Sequence, residues 1–265
     1  MTGHESTLIS TLKATGPRVF LRRRRAAWDA FWVLLGLWGV SLALFNTFPQ
    51  IDPYVSAHFF VREACSTAPA IGENCGHFPY RQDPFFQLLR TLFLRLPSVV
   101  AVVLLWKLLD CYGHHGATFN AERARALKVA LASLVIGPIV LVNSILKSYW
   151  GRPRPSETLD FGGHFDFVQA GSMAGKCLSN CSFVSGEAAG AGWLFCLVLL
   201  VPQPLRSALL PPLATISLLA PALRVAFGAH YLSDVVLGWL SSLVVFAGLL
   251  ALADSPQREK KLKIE

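Results

Sequence analysis

Three polar clusters interrupt an otherwise apolar chain, and their residue types point to phosphate chemistry. Lys147 to Pro155 reads KSYWGRPRP, placing Lys147, Arg152 and Arg154 directly after the apolar run from Leu127 to Leu146. Unpaired guanidinium and ammonium groups are costly to bury, so these cations are expected to meet an anion rather than to pack into a core. Pro153 and Pro155 should stop the helix and stiffen the loop that carries the arginines. Arg can grip a phosphate with two parallel hydrogen bonds, and Lys adds a point charge beside it. The second cluster, Ser182 to Glu187, reads SFVSGE. Ser185 and Gly186, at the expected start of a helix, offer a hydroxyl and backbone N–H groups at the positive end of the dipole. Glu187 in the first turn is either an ordinary dipole-favoured acid or an ionisable group at the site. The third cluster, Arg224 to Asp234, reads RVAFGAHYLSD. His230 and Asp234 stand four apart, on one face if both are helical, so the carboxylate can bond one ring nitrogen and leave the other free.

The elements that must position these clusters are membrane helices. The 265 residues are 53% hydrophobic and 15% charged, a composition that points away from a soluble domain and toward a polytopic membrane protein. The net charge of +8 does not indicate nucleic acid, because the basic residues gather at the ends of apolar runs without an aromatic RNA-binding signature. Spans are expected at Trp28 to Phe45, Phe85 to Leu109, Leu127 to Leu146, Val184 to Val201, Leu209 to Phe227 and Val235 to Ala253, each near the ~20 residues needed to cross. The fold class is therefore an all-α integral membrane protein with a six-helix bundle. Residues 1–27 form a basic cytoplasmic segment ending in Arg22 to Arg25, residues 28–253 the bundle, and residues 254–265 a cytoplasmic tail. The run of four arginines, with Arg123, Arg125, Lys128, Arg206, Arg258, Lys260, Lys261 and Lys263, puts the N-terminus inside by the positive-inside rule. All three polar clusters then fall on the same outer face, a convergence that scattered flanking charges would not produce.

Two pairs of cysteines, Cys65 with Cys75 and Cys177 with Cys181, also lie on the outer side, where an oxidising compartment would allow local disulfides; otherwise they are partly buried thiols. No cysteine or histidine spacing suggests a metal, and no cofactor is expected. Arg90 and Arg95, in the outer half of the second span, either snorkel to lipid headgroups or reach into the site and hold an anionic headgroup, a role also open to Arg152.

Lys147 followed by Arg154-Pro155, then Ser185-Gly186, then Arg224, His230 and Asp234 resemble the three-part signature of the type 2 phosphatidic acid phosphatase superfamily. The resemblance spans Lys147 to Asp234 and implies a six-helix lipid phosphatase that needs no metal. It implies that Lys147, Arg154, Ser185, Gly186 and Arg224 bind phosphate, and that His230 is the nucleophile forming a phosphohistidine, with Asp234 orienting its ring. The second motif departs from the family, with Val184 for the usual Pro and Glu187 for the usual His. Glu187 could protonate the leaving oxygen only if it carries a proton when substrate binds; His164 or Asp166 could substitute, or the group could leave unaided. Leu223 also stands where a Ser often precedes the arginine. The stretch CLSNCSFVSGE is similar to a bacterial branch associated with lipid A phosphatases. The expected activity is removal of phosphate from a membrane lipid, lipid A first, at the periplasmic face of a bacterial inner membrane. Phosphatidylglycerol phosphate, phosphatidic acid and undecaprenyl diphosphate are alternative substrates, and a lipid phosphotransferase or a non-catalytic lipid-phosphate binding protein are alternative functions.

Overall fold

The apolar runs fold as helices in a computed structural model that describes residues 17–65, 74–113 and 119–253. The first is α1 (Pro17–Thr47), which takes the arginine run Arg22 to Arg25 into its opening turns instead of leaving it as a separate segment. A short α2 (Ile51–Ala57) follows, then a two-stranded antiparallel ribbon of β1 (Val61–Arg62) and β2 (Gly76–His77), with Val61 opposite His77. After α3 (Pro79–Gln82) comes α4 (Pro84–Gly113). Asn120 caps α5 (Ala121–Leu134) by accepting the Arg123 N–H at 2.9 Å, which starts this helix before the expected Leu127. The same helix continues as π turns over Val135–Leu146 and ends in one α turn, Lys147–Tyr149. Pro138 interrupts the regular ladder there, and the side chains of Asn143 and Ser144 donate to the carbonyls of Pro138 and Ile139 at 2.7 and 3.0 Å.

The outer loop makes short 3-10 turns at Pro155–Glu157 and Leu159–Phe161 before α6 (Gly186–Cys196), which runs on as a 3-10 turn over Leu197–Leu200. The bundle closes with α7 (Gln203–Ala226) and α8 (Leu232–Ala253). Five of the helices are long and apolar enough to cross a membrane, and the sixth, Gly186–Leu200, is shorter. At 1.5 Å per residue it covers only about 22 Å against the ~30 Å hydrocarbon core. Its N-terminus is recessed in the protein, with Ser185 wholly buried. That recess receives the polar clusters.

The burial pattern separates lipid-facing from core helices. Val102 and Trp106 on α4 are each 67% exposed, and Trp32 and Val33 on α1 are similarly bare, a belt suited to acyl chains rather than water. By contrast α8 sits inside the bundle, packed on α1, α5, α6 and α7. A Cβ at Gly238 would run into the Ser185 carbonyl, so only glycine lets α8 lie against the chain entering α6. This approach brings the Ser185 N–H to 3.0 Å from the Asp234 carbonyl and joins the second and third clusters. The tail 254–265, with Arg258, Lys260, Lys261 and Lys263, lies outside the described residues.

Candidate active site

His230 is placed by a turn between α7 and α8. Gly228 adopts φ +60, and a side chain there would meet the Phe78 ring, so the turn requires glycine on both counts. The chain then folds back until the His230 N–H reaches the Arg224 carbonyl at 3.2 Å. The ring is 1% exposed. Its Nδ1 lies 2.8 Å from the Ser182 carbonyl oxygen. A carbonyl only accepts, so Nδ1 carries the proton and the neutral ring keeps its lone pair on Nε2. Asp234 Oδ2 is 3.8 Å from Nδ1, too far for a hydrogen bond, and acts on the ring through its charge. The expected direct bond from Asp234 is thus replaced by the Ser182 backbone. Asp234 instead accepts from Ser182 Oγ, from the Tyr231 N–H at 2.8 Å and from Arg152 Nη1 at 2.6 Å. Burial lowers the His230 pKa to about 4 against the pull of Asp234, with the Arg224 and Lys147 charges adding to the fall. At neutral pH the imidazole is therefore uncharged.

A cavity of about 310 Å3 opens beside this ring, lined by Lys147, Arg154, Gly186 and Arg224 together with Arg90, Asn143, Asn180 and Glu187. Arg154 is aimed by its Nε and Nη2, which donate to the Asn180 carbonyl at 3.1 and 2.9 Å. Burial holds its pKa below the usual arginine value. Lys147 Nζ donates to Asn180 Oδ1 at 3.3 Å, so one residue braces both cations. Arg224 is 4% exposed and its buried Nε has no hydrogen-bond partner, although Glu187 Oε1 stands 3.3 Å away. Arg90 Nη2 bonds the same oxygen at 3.0 Å. Three cations of the motifs and a fourth from α4 therefore converge on one cavity, where they are suited to a phosphate group.

Several expected roles change. Arg152 does not bind a headgroup: it is fully buried, with Nη2 2.7 Å from Asp52 Oδ2 and Nη1 2.6 Å from Asp234 Oδ1. Its guanidinium also lies over the Tyr231 ring, and Nε donates to the Val168 carbonyl at 2.7 Å. The expectation that this cation would stay out of the core fails because two buried carboxylates neutralise it, the condition under which burial is tolerated. Those carboxylates outweigh the effect of burial and push its pKa up. Arg95 is exposed on α4 and does not line the cavity, and the exposed His164 and Asp166 do not line it either, so neither is placed to serve as an acid. The Ser185 hydroxyl is not part of the lining and accepts the Ala188 N–H at 3.3 Å, capping α6. Glu187 does line the cavity, but the oxygen it presents is engaged by Arg90 and Arg224. That geometry fits a brace for two guanidiniums.

Sequence reasoning assigned no role to Asp52, Asn143, Asn180, Ser182 or Ser233. Asp52 Oδ1 accepts the Ser233 N–H at 2.9 Å and its Oδ2 the Ser233 hydroxyl at 2.5 Å, tying α2 to the start of α8. The signal that could have found Asp52 is an acid set between Ile51 and Pro53, close after the first apolar run. Cys65 is bonded to Cys75 and Cys177 to Cys181. Among the described residues no group of three His, Cys, Asp or Glu could hold a metal ion.

Residues 126–257 match the PAP2 superfamily. The chain is 60% identical to a lipid A 4'-phosphatase of Rhizobium etli over 97% of its own length and 100% of the relative's. The chain belongs to the PAP2 superfamily. A lipid A 4'-phosphatase of Rhizobium leguminosarum is 62% identical over 88% of the chain and 100% of that relative. In three dimensions this PAP2 protein is similar to the crystal structure of a transmembrane PAP2 type phosphatidylglycerolphosphate phosphatase from Bacillus subtilis. The TM-score is 0.50 at 16% identity, covering 89% of this chain and 97% of that one, which supports the shared helical membrane fold. The chain is accordingly a PAP2-type phosphoric monoester hydrolase, and five of its motif residues, Lys147, Arg154, Gly186, Arg224 and His230, line one cavity.

Proposed function

We propose that this protein removes the 4'-phosphate of lipid A at the periplasmic face of a bacterial inner membrane, through a phosphohistidine on His230. The carrying observation is the fixed tautomer: Nδ1 is committed to the Ser182 carbonyl at 2.8 Å, and the ring lines a cavity with Lys147, Arg154 and Arg224. In the proposed sequence the cations and the N-terminus of α6 at Gly186 hold the phosphoryl oxygens, and Nε2 attacks phosphorus in line with the sugar oxygen. The P–O bond to the sugar breaks, its oxygen leaves as the hydroxyl with a proton from solvent, and water then hydrolyses the P–N bond. Asp234, backed by Arg152, offsets the positive charge that grows on the imidazole. Charge neutralisation by Lys147, Arg154, Arg224 and Arg90 supplies the stabilisation that phosphoryl transfer needs.

The substrate is carried by the relatives at about 60% identity. The sidedness is supported by charge placement: Arg123, Arg125 and Lys128 lie at the opposite end of the long Ala121–Tyr149 helix from Lys147, and Arg206 at the opposite end of α7 from Arg224. The test is to trap the intermediate. Protein mixed with phosphorus-labelled lipid A and quenched in alkali should retain acid-labile, base-stable label on the peptide containing His230. Label on a serine or carboxylate, or undiminished label in His230→Ala, would overturn the mechanism.

A further inference from the structure

We propose that the hollow beside the phosphate cavity is a sugar subsite, which receives the saccharide of a phosphorylated glycolipid while its phosphate lies against His230. The proposal rests on the phosphatase reading above and deepens it. The hollow has a volume of about 400 Å3 and is lined by Asn143, Lys147, Ser148, Leu178, Ser179 and Asn180. It shares Asn143, Lys147 and Asn180 with the phosphate cavity. A group esterified to a phosphate held by Lys147 and Arg154 is therefore within reach of it. Two amides and two hydroxyls offer donors and acceptors together, the combination that matches the hydroxyls of a sugar. A second phosphate would need further cations, and the only one present, Lys147, already belongs to the phosphate cage. An acyl chain would need apolar walls, and Leu178 alone is apolar.

The hollow is held by specific contacts. Asn143 Nδ2 is fixed by the Pro138 carbonyl at 2.7 Å, and a Cβ at Gly186 would run into Asn143 Oδ1, so the glycine is what lets this amide sit at the shared wall. On the other side the Cys177–Cys181 bond closes a short loop. Within it Asn180 takes φ 50, sending its carbonyl to Arg154 and its side chain to Lys147. Leu178 lines the hollow and is 99% exposed. A polar lining with one exposed apolar side chain suits a saccharide that carries acyl chains.

The experiment is equilibrium binding to the full-length His230→Ala protein in detergent, measured by calorimetry with glucosamine 4-phosphate, glycerol 3-phosphate and inorganic phosphate. The sugar phosphate should bind at least about 10-fold more tightly than glycerol phosphate. Ser148→Trp and Ser179→Trp, each filling the hollow, should erase that advantage while inorganic phosphate still binds, which also reports that the protein is folded. If one of the two loses phosphate binding, the other decides. Equal affinities for the sugar and glycerol esters, or an advantage that survives both tryptophans, overturns the subsite and leaves the phosphatase reading intact. Failure of all three ligands to bind overturns the phosphate cage itself and the subsite with it.

Discussion

Removing the Arg152 guanidinium with Arg152→Gln leaves Asp52 and Asp234, the two buried carboxylates it bridges at 2.7 and 2.6 Å, without their shared cation. With charge centres about 4 Å apart and an effective dielectric near 20, each contact is worth about 4 kcal/mol. Removing one partner of such a pair typically costs about 3 to 5 kcal/mol. For a chain of this size that corresponds to a fall in Tm of roughly 8 to 16 °C, taking about 2 to 4 °C per kcal/mol with a nominal 4 kcal/mol. Asp52→Asn should cost less, since Arg152 keeps Asp234 and the asparagine keeps the shape that accepts the Ser233 N–H. The double variant should be more stable than the sum of the two losses predicts, because removing one carboxylate relieves the repulsion that Arg152→Gln exposes. Thermal unfolding of all four proteins in one detergent measures the cycle. Turnover should follow the same coupling, since Arg152 acts on the chemistry only through Asp234. Strict additivity in both readouts would refute the claim that the buried arginine joins α2 to the catalytic pair.

Two further outcomes follow from the same geometry. Glu187→Gln should lower kcat/KM by about 10-fold, the equivalent of one weakened charge-assisted bond, and by similar factors for p-nitrophenyl phosphate and for lipid A. A loss confined to the sugar leaving group would restore Glu187 to the role of acid. The His230 ring should take up its proton near pH 4, as followed by NMR of histidine-labelled protein. Because burial lowers this pKa, the neutral ring that the proposed mechanism needs is fully present at pH 7 and is lost only as pH falls through about 4; a midpoint near the ordinary 6.5 would contradict the buried placement.

Much of the site was legible because its chemistry is carried by charged and small residues at motif spacing. Lys147, Arg154, Gly186, Arg224 and His230 meet around one cavity although they are spread over a long stretch of chain. Other parts were invisible for physical reasons. The partner of His230 Nδ1 is a backbone carbonyl, which leaves no trace in residue type. Arg152 and Arg154 look alike in the sequence, yet one is neutralised by Asp52, a residue far away in the chain, and only the fold decides which arginine faces the cavity. Five of the six apolar runs were readable as spans, the sixth forming the shorter Gly186–Leu200 helix, and the start of α5 was set by a cap and good helix formers rather than by hydropathy. The sequence favoured Arg90 snorkelling to the membrane surface over a place in the site; its bond to Glu187 puts it in the site, while Arg95, only slightly further along α4, stays exposed.

The central claim is tested most directly by mass spectrometry of lipids after incubating purified protein, in excess chelator, with lipid A, phosphatidylglycerol phosphate, phosphatidic acid and undecaprenyl diphosphate. His230→Ala serves as the control. The account predicts that lipid A loses one phosphate, with free phosphate released in equal amount, and that the variant leaves it intact. Phosphate lost only from a glycerophospholipid or the polyprenyl lipid, phosphate moved onto a second lipid, or full activity in His230→Ala would contradict it.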